Sequence, residues 1–254
     1  MRVLRPLIVL TGLLIIWQAV VTLFGLPRFI LPAPWQVAVA WWANLGILLD
    51  NARFTLAEIL LGLVTGLALG CTTALAMSWF RPARRWLLPV LVTSQAIPVF
   101  ALAPMLVLWL GFGMASKIAM ATLIIYFPIT SAFYDGLRRT EPGWLDLARS
   151  MGASRRAVLL RIRIPAALPS LASGLRVAVA IAPIGAVVGE WVGASAGLGY
   201  VMLHANARTQ QPLMFAALFT LALIAVALWF AVDHGLRRAL PWVTETNPAE
   251  DDPN

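Results

Sequence analysis

Residues 54–79 read FTLAEILLGLVTGLALGCTTALAMSW, with Glu58 as the only charged side chain. A hydrocarbon layer about 30 Å thick is crossed by roughly 20 apolar residues in helical form. This stretch alone therefore places the chain in a membrane. Along it, Glu58, Gly62, Gly66, Gly70, Ala74 and Ser78 recur at four-residue spacing. That spacing puts them on one helical face, where small side chains let a second backbone come close. Helix packing through Gly62, Gly66 and Gly70 is the main reading of this face, and a pore lining is the other. Glu58 is expected near the outer end of the span, in contact with water.

Further apolar runs lie at 7–24, 87–110, 116–135, 168–190 and 213–234. Of the 254 residues, 61% are hydrophobic and 12% charged, about half the charge fraction of an ordinary soluble domain. The runs lack the alternation of a membrane barrel, and lipid forbids unpaired strand edges. The expectation is an all-α membrane protein with about six transmembrane helices. Run 7–24 follows Arg2 and Arg5 as a secretory signal would. The next residues, Gly25-Leu26-Pro27-Arg28, offer no small-x-small cleavage site, so it reads as a retained span.

The net charge of +8 does not point to nucleic acid, because the basic residues sit at the ends of apolar runs. With a cytoplasmic N-terminus, one set of loops holds Arg2, Arg5, Arg81, Arg84, Arg85, Arg138, Arg139, Arg149, Arg155, Arg156, Arg161, Arg163, Arg237 and Arg238. The other set holds Arg28, Arg53, Lys117 and Arg208. Basic residues accumulate on the cytoplasmic side, so both termini are expected there. Cys71 is the single cysteine, and His204 and His234 stand far apart. No disulfide framework and no metal site is expected. No catalytic acid dyad or histidine pair falls in the spans, so no enzymatic centre is expected. Residues 1–244 read as one transmembrane domain, and 245–254, with Glu250, Asp251 and Asp252, as a disordered acidic tail. Between the first two spans, Trp35, Trp41 and Trp42 suit a helix lying at the outer interface.

Several polar positions sit within or beside the spans. Ser94-Gln95-Ala96-Ile97-Pro98, followed by Pro104, interrupts the third run. Proline removes an amide donor, and broken helix at membrane depth survives only inside protein or beside water. Gln95 and Pro98 either face a translocation path or mark a kink filled by neighbours. Tyr126 and Pro128 read as packing and kink, or as path lining. Glu190 is a costly intramembrane acid. It either caps backbone amides or pairs with a loop arginine, or else it gates the path or meets an external partner. In the loop 192–212, Gly197-Leu198-Gly199 needs backbone freedom and could open a short re-entrant helix. His204 reads as a structural hydrogen-bonder.

The longest loop, 136–167, is cytoplasmic by the arginine count. Leu145, Ala148 and Met151 share one helical face, and Ala157, Leu160 and Ile164 share another beyond Gly152. Gly152 can adopt positive φ and join two short helices. Pro165 is expected to end the segment before the fifth span. The loop carries more apolar surface than a linker needs, which points to a partner protein.

Here the sequence resembles a known family. Asp146-Leu147-Ala148, three residues, Gly152, nine residues, then Ile162-Arg163-Ile164-Pro165 is similar to the cytoplasmic signature of permease subunits in binding-protein-dependent ABC importers. That signature is Glu-Ala-Ala, three residues, Gly, nine residues, Ile-x-Leu-Pro. Its spacing is kept, with Asp for Glu at 146, Leu for Ala at 147 and Ile for Leu at 164. Leu31-Pro32-Ala33-Pro34, Ala96-Ile97-Pro98 with Leu102-Ala103-Pro104, Gly111-Phe112-Gly113, and Gly189-Glu190-Trp191 leading to Gly197-Leu198-Gly199-Tyr200 resemble the nitrate, taurine, sulfonate and thiamine-precursor branch. The resemblance implies a type I ABC importer permease fold in the bacterial cytoplasmic membrane. It implies a coupling helix carrying Asp146, Ala148, Gly152, Ile162 and Pro165. Its implied partners are a separate ATPase subunit, an extracytoplasmic binding protein and a second permease copy, making a homodimer.

ATP would then be bound by the partner and no cofactor by this chain. A phosphate loop needs glycine before its lysine, and the only lysine, Lys117, follows Ser116. A standalone channel or secondary transporter would need its own coupling charges in the spans, which hold few. Residues 94–104, 143–148 and 183–191 look most like permeases for pyrimidine precursors of thiamine. Sulfonate, taurine or nitrate is the alternative cargo. Arg176 is the one arginine placed inside a span, and a path with few fixed charges suits an uncharged pyrimidine.

Overall fold

The computed structural model describes residues 4–243. The acidic tail expected at 245–254 lies outside them. Among the described residues the chain is helical throughout, without strands. The helices are α1 (Leu4–Leu23), α2 (Pro34–Ala43), α3 (Leu45–Trp79), α4 (Arg81–Ser94), α5 (Val99–Leu110), α6 (Met114–Arg138), α7 (Pro142–Ser150), α8 (Arg155–Val158), α9 (Ile164–Gly193), α10 (Leu198–Ala207) and α11 (Gln211–Ala239). A π turn, Leu159–Arg163, joins α8 to α9.

Four helical stretches are long and apolar enough to cross a membrane: α3, α6, the run Arg155–Gly193, and α11. The pair α4 and α5 passes the same test only when counted together, as one broken span or as a re-entrant loop. The apolar part of α1, Ile8–Leu23, is shorter. Among the described residues there are thus four to five spans and this shorter helix, where about six spans were expected. Along α11, Leu218, Phe219, Leu223, Val226 and Phe230 are exposed, the outward apolar surface of a helix in lipid.

Two boundaries differ from expectation. α3 starts at Leu45, well before residue 54, because the helical chain restarts at once after α2. Asn44 closes α2 by donating its side-chain amide to the Ala40 carbonyl at 2.8 Å, and its own carbonyl accepts the Leu48 amide at 3.0 Å. The fifth span begins at Arg155, and Pro165 does not end the segment. Proline removes one amide and crowds the preceding turn. The π turn directly before Pro165 widens that turn by one residue, and the helix runs on.

The chain forms two compact units. The first comprises, of the described residues, 4–61, 100–121 and 183–225. Its core gathers Leu48, Ala52, Val187, Leu198, Ala216 and Leu221, with Trp17 and Trp41 packed against them. The Trp41 indole donates to Thr220 Oγ1 at 3.0 Å, so this tryptophan is tied into protein. Trp35 and Trp42 stay exposed, as an interfacial helix requires.

The second unit comprises, of the described residues, 62–99, 122–182 and 226–243. Its core holds Ala74, Met77, Leu91, Phe133, Tyr134, Leu137 and Ala167. Here the small-residue face of α3 meets α6. A Cβ on Gly66 would stand 2.6 Å from Ile125 Cγ1, and one on Gly70 2.7 Å from Ile129 Cγ2. Thr65 and Thr122 hydroxyls meet at 2.5 Å along the same seam. Gly62 is buried as well. In this unit Arg176 on α9 is joined to α11 through Asp233 Oδ1 at 2.7 Å, while Arg237 holds the other carboxylate oxygen at 2.8 Å.

Candidate functional site

The loop between α6 and α9 folds as the helix–turn–helix its periodicity suggests. α7 has Pro142 in its first turn and ends at the Gly152 turn, where φ is +70°. L-side chains rarely adopt that value, and glycine does so freely. The Gly152 amide donates to Arg149 O, and the Ala153 amide to Ala148 O, both at 2.9 Å, closing the helix end. Ser154 then caps α8, its hydroxyl accepting the Ala157 amide at 3.2 Å, as N-cap serines do.

The faces of α7 fall somewhat differently from expectation. Ala148 is buried and Leu145 partly so, but Met151 is 78% exposed. Position 151 lies past the last helical turn and looks outward with Trp144 and Leu147. These three side chains, with Ala148, Ile162 and Pro165, line an apolar groove of about 500 Å³ that also includes Trp242. Three of the five signature positions thus meet on one surface. Gly152 makes the turn beside them, and Asp146 is exposed and paired with Arg149 at 2.9 Å. Exposed apolar surface of this kind is where proteins meet a partner, a membrane or a ligand.

In the same unit, the interrupted third run breaks between Ser94 and Val99. Gln95 and Pro98 sit at the break and are exposed. Tyr126 is half-buried, its hydroxyl donating to Thr73 Oγ1 at 3.0 Å.

Glu190 belongs to the first unit, where it is 1% exposed. One carboxylate oxygen accepts the Thr55 hydroxyl at 2.6 Å. The other accepts the Gly199 amide, and the Tyr200 amide is a further donor to this carboxylate. Thr55 Oγ1 in turn accepts the Leu198 amide at 2.8 Å, and Asn51 Oδ1 accepts the Gly197 amide at 2.8 Å. Four successive amides at the start of α10 are therefore satisfied by side chains from α3 and α9. Such first-turn amides have no partner within their own helix, and inside a membrane protein each needs one. Gly197 has φ +114°, and a Cβ there would collide with the Glu190 carboxylate.

The Glu58 position corrects an expectation. Glu58 is 2% exposed, not solvated, and its buried Oε2 has no hydrogen-bond partner among the described residues. Lys117, also buried, donates to the carbonyls of Phe112 at 3.2 Å and Gly113 at 3.3 Å, fixing the turn between α5 and α6. Sequence reading missed Asn51, Thr55 and Lys117 as partners. Asn51, Thr55 and Glu58 stand at i, i+4 and i+7, one polar face entering an apolar run, and that spacing was the available signal. His204 is exposed and lies against Tyr200, ring centroids 4.1 Å apart.

Residues 62–243 match the family described as binding-protein-dependent transport system inner membrane component. Among curated proteins, the chain is 55% identical over 237 residues to a probable ABC transporter permease protein of Haemophilus influenzae, covering 93% of this chain and 97% of that one. It is 38% identical to the formylaminopyrimidine transport permease protein ThiX of Halalkalibacterium halodurans, over 95% of this chain and 96% of that one. It is 40% identical to the riboflavin transport system permease protein RibX of Chloroflexus aurantiacus, over 85% and 82%. Among solved structures, an inward-facing form of the methionine ABC transporter MetNI superposes with a TM-score of 0.68 at 19% identity. That match covers 77% of this chain and 97% of that one, and at this identity it speaks to the fold: a type I ABC importer permease.

Proposed function

The chain belongs to the binding-protein-dependent transport system inner membrane components, the multi-pass permease subunits of ABC importers, and we propose that it carries a pyrimidine precursor of thiamine. Membership implies an ATPase subunit and an external binding protein as partners. In our reading the ATPase seats on the groove of Trp144, Leu147, Ala148, Met151, Ile162 and Pro165. Closure of the ATPase dimer on ATP moves α7, and the Gly152 turn passes that movement through α8 into α9. The unbroken helical course from Arg155 to Gly193 suits this, since a continuous helix transmits displacement along its axis. The membrane bundle then alternates the side to which its path opens. A second copy of this chain completes the path.

Glu190 has a positioning role in this reading. It fixes α10, while Gln95, Pro98 and Tyr126 are the candidates for the path itself. The observation that supports the cargo is the 38% identity to a formylaminopyrimidine permease along nearly the full length of both chains. The test is growth of a strain unable to make the thiamine pyrimidine, on limiting hydroxymethyl- or formylamino-pyrimidine, with and without this gene. Growth that depends on the gene is expected. Unchanged growth, with gene-dependent uptake of taurine, a sulfonate or nitrate instead, overturns the cargo. The similarity to a riboflavin permease favours a second reading, another neutral heteroaromatic solute, and labelled riboflavin uptake in the same pair of strains separates the two.

A further inference from the structure

On the side of α7 away from the docking groove lies a second cavity, of about 780 Å³. Trp79, Phe80, Arg81, Arg149, Arg155 and Arg163 contribute to its wall, and no acidic residue does. It opens at the end of α3 that the arginine distribution places at the cytoplasmic face. Leu145 and Arg149 face it from α7, one helical turn apart. Trp144, Leu147 and Met151 belong to the other cavity. The two surfaces of α7 thus differ in chemistry, one apolar and one cationic.

Within the cationic cavity Arg155 is held in place. Arg155 donates to the Trp79 carbonyl at 3.1 Å, and its guanidinium stands over the Trp79 ring at 5.4 Å. Arg163 Nε is buried and has no hydrogen-bond partner. A buried donor is normally satisfied, so this one marks a place for an acceptor. Arg149 shares its charge with Asp146 outside the cavity. Phe80, at the mouth of the cavity, is 57% exposed and gives it an apolar edge.

We propose that this cavity binds the phosphate headgroup of an anionic phospholipid from the cytoplasmic leaflet. The guanidinium groups of this wall are opposite in charge to a phosphodiester and suit it in hydrogen-bond geometry. Basic pockets at the cytoplasmic ends of membrane helices take such headgroups, and the acyl chains would lie along the lipid-facing end of α3. A lipid seated there would brace the inner face of α7 while its outer face docks the ATPase. The inference rests on the sidedness of the chain and is independent of the cargo.

The test uses the complete permease–ATPase complex in detergent, titrated with phosphatidylglycerol and followed by native mass spectrometry. Phosphatidylcholine and inorganic phosphate are the comparison probes. Arg81→Gln with Arg163→Gln removes two charges from the cavity. Arg84→Gln with Arg85→Gln removes two exposed charges from the same helix, outside it. We expect phosphatidylglycerol occupancy to fall at least five-fold in the first double variant and by less than two-fold in the second, with Arg81→Lys and Arg163→Lys restoring part of it. Equal losses in both double variants overturn the proposal in favour of general surface attraction. Displacement of the lipid by millimolar inorganic phosphate overturns it in favour of a free-anion site. Loss of the ATPase with lipid occupancy unchanged overturns it in favour of a protein contact.

Discussion

At the residue scale, two positions carry more than their neighbours. Glu190 is the acceptor for the Gly199 and Tyr200 amides and the Thr55 hydroxyl. A buried donor left without its acceptor costs about 1–3 kcal/mol. Glu190→Ala is therefore expected to lower the melting temperature in detergent more than Glu190→Gln, which keeps one acceptor oxygen. Hydrogen exchange at residues 198–200 should quicken in the alanine variant, and equal melting temperatures would remove Glu190 as the anchor of α10. Gly152 acts through its backbone alone. Nothing stands within 4 Å of a Cβ placed there, so the +70° φ is the whole constraint. Gly152→Val should strain the turn by about 1–3 kcal/mol and weaken co-purification with the ATPase. Gly152→Asn should be milder, because asparagine visits the left-handed region. Equal uptake by both variants would take the turn out of the coupling route.

At the scale of elements, α3 joins two different jobs in one helix. Its first half presents Asn51 and Thr55 to the start of α10, and its later turns present Gly66 and Gly70 to α6. The second job is a matter of space. A leucine at 66 would have its Cβ 2.6 Å from Ile125 Cγ1, and overpacking of this kind costs about 1–3 kcal/mol. Gly66→Leu is expected to reduce yield and thermal stability in detergent, while Leu67→Ile, at a half-buried position, should leave both near wild type. The contrast between adjacent residues separates packing from a general effect of mutating the span.

At the scale of the molecule, the chain is a transport subunit whose energy enters from a partner. No glycine precedes its single lysine, and Lys117 Nζ is engaged by the Phe112 and Gly113 carbonyls, so it is not displayed to a phosphate. The purified chain, reconstituted alone, is expected to release no phosphate from ATP, with release appearing when the ATPase subunit is added. Turnover that co-elutes with the permease alone would contradict this.

The sequence by itself determined the class, the helical elements and the family. Runs of apolar residues near the bilayer thickness admit few alternatives, and the signature from Asp146 to Pro165 is a local pattern readable along the chain. The Gly152 turn was legible for the same reason, because a positive φ between two helices is set by neighbours in sequence. Tertiary structure decided the fate of the polar groups. Asn51 and Thr55 lie far in sequence from the Gly197 and Leu198 amides they serve, and no local rule says which unpaired amides a distant side chain will meet. It also decided that α9 runs through Pro165, since a π turn upstream absorbs the lost amide. The two cavities on opposite sides of α7 needed the fold as well. Their walls draw on α3, α8, the π turn and Trp242 as well as α7, and periodicity along one helix reports only that helix's own faces.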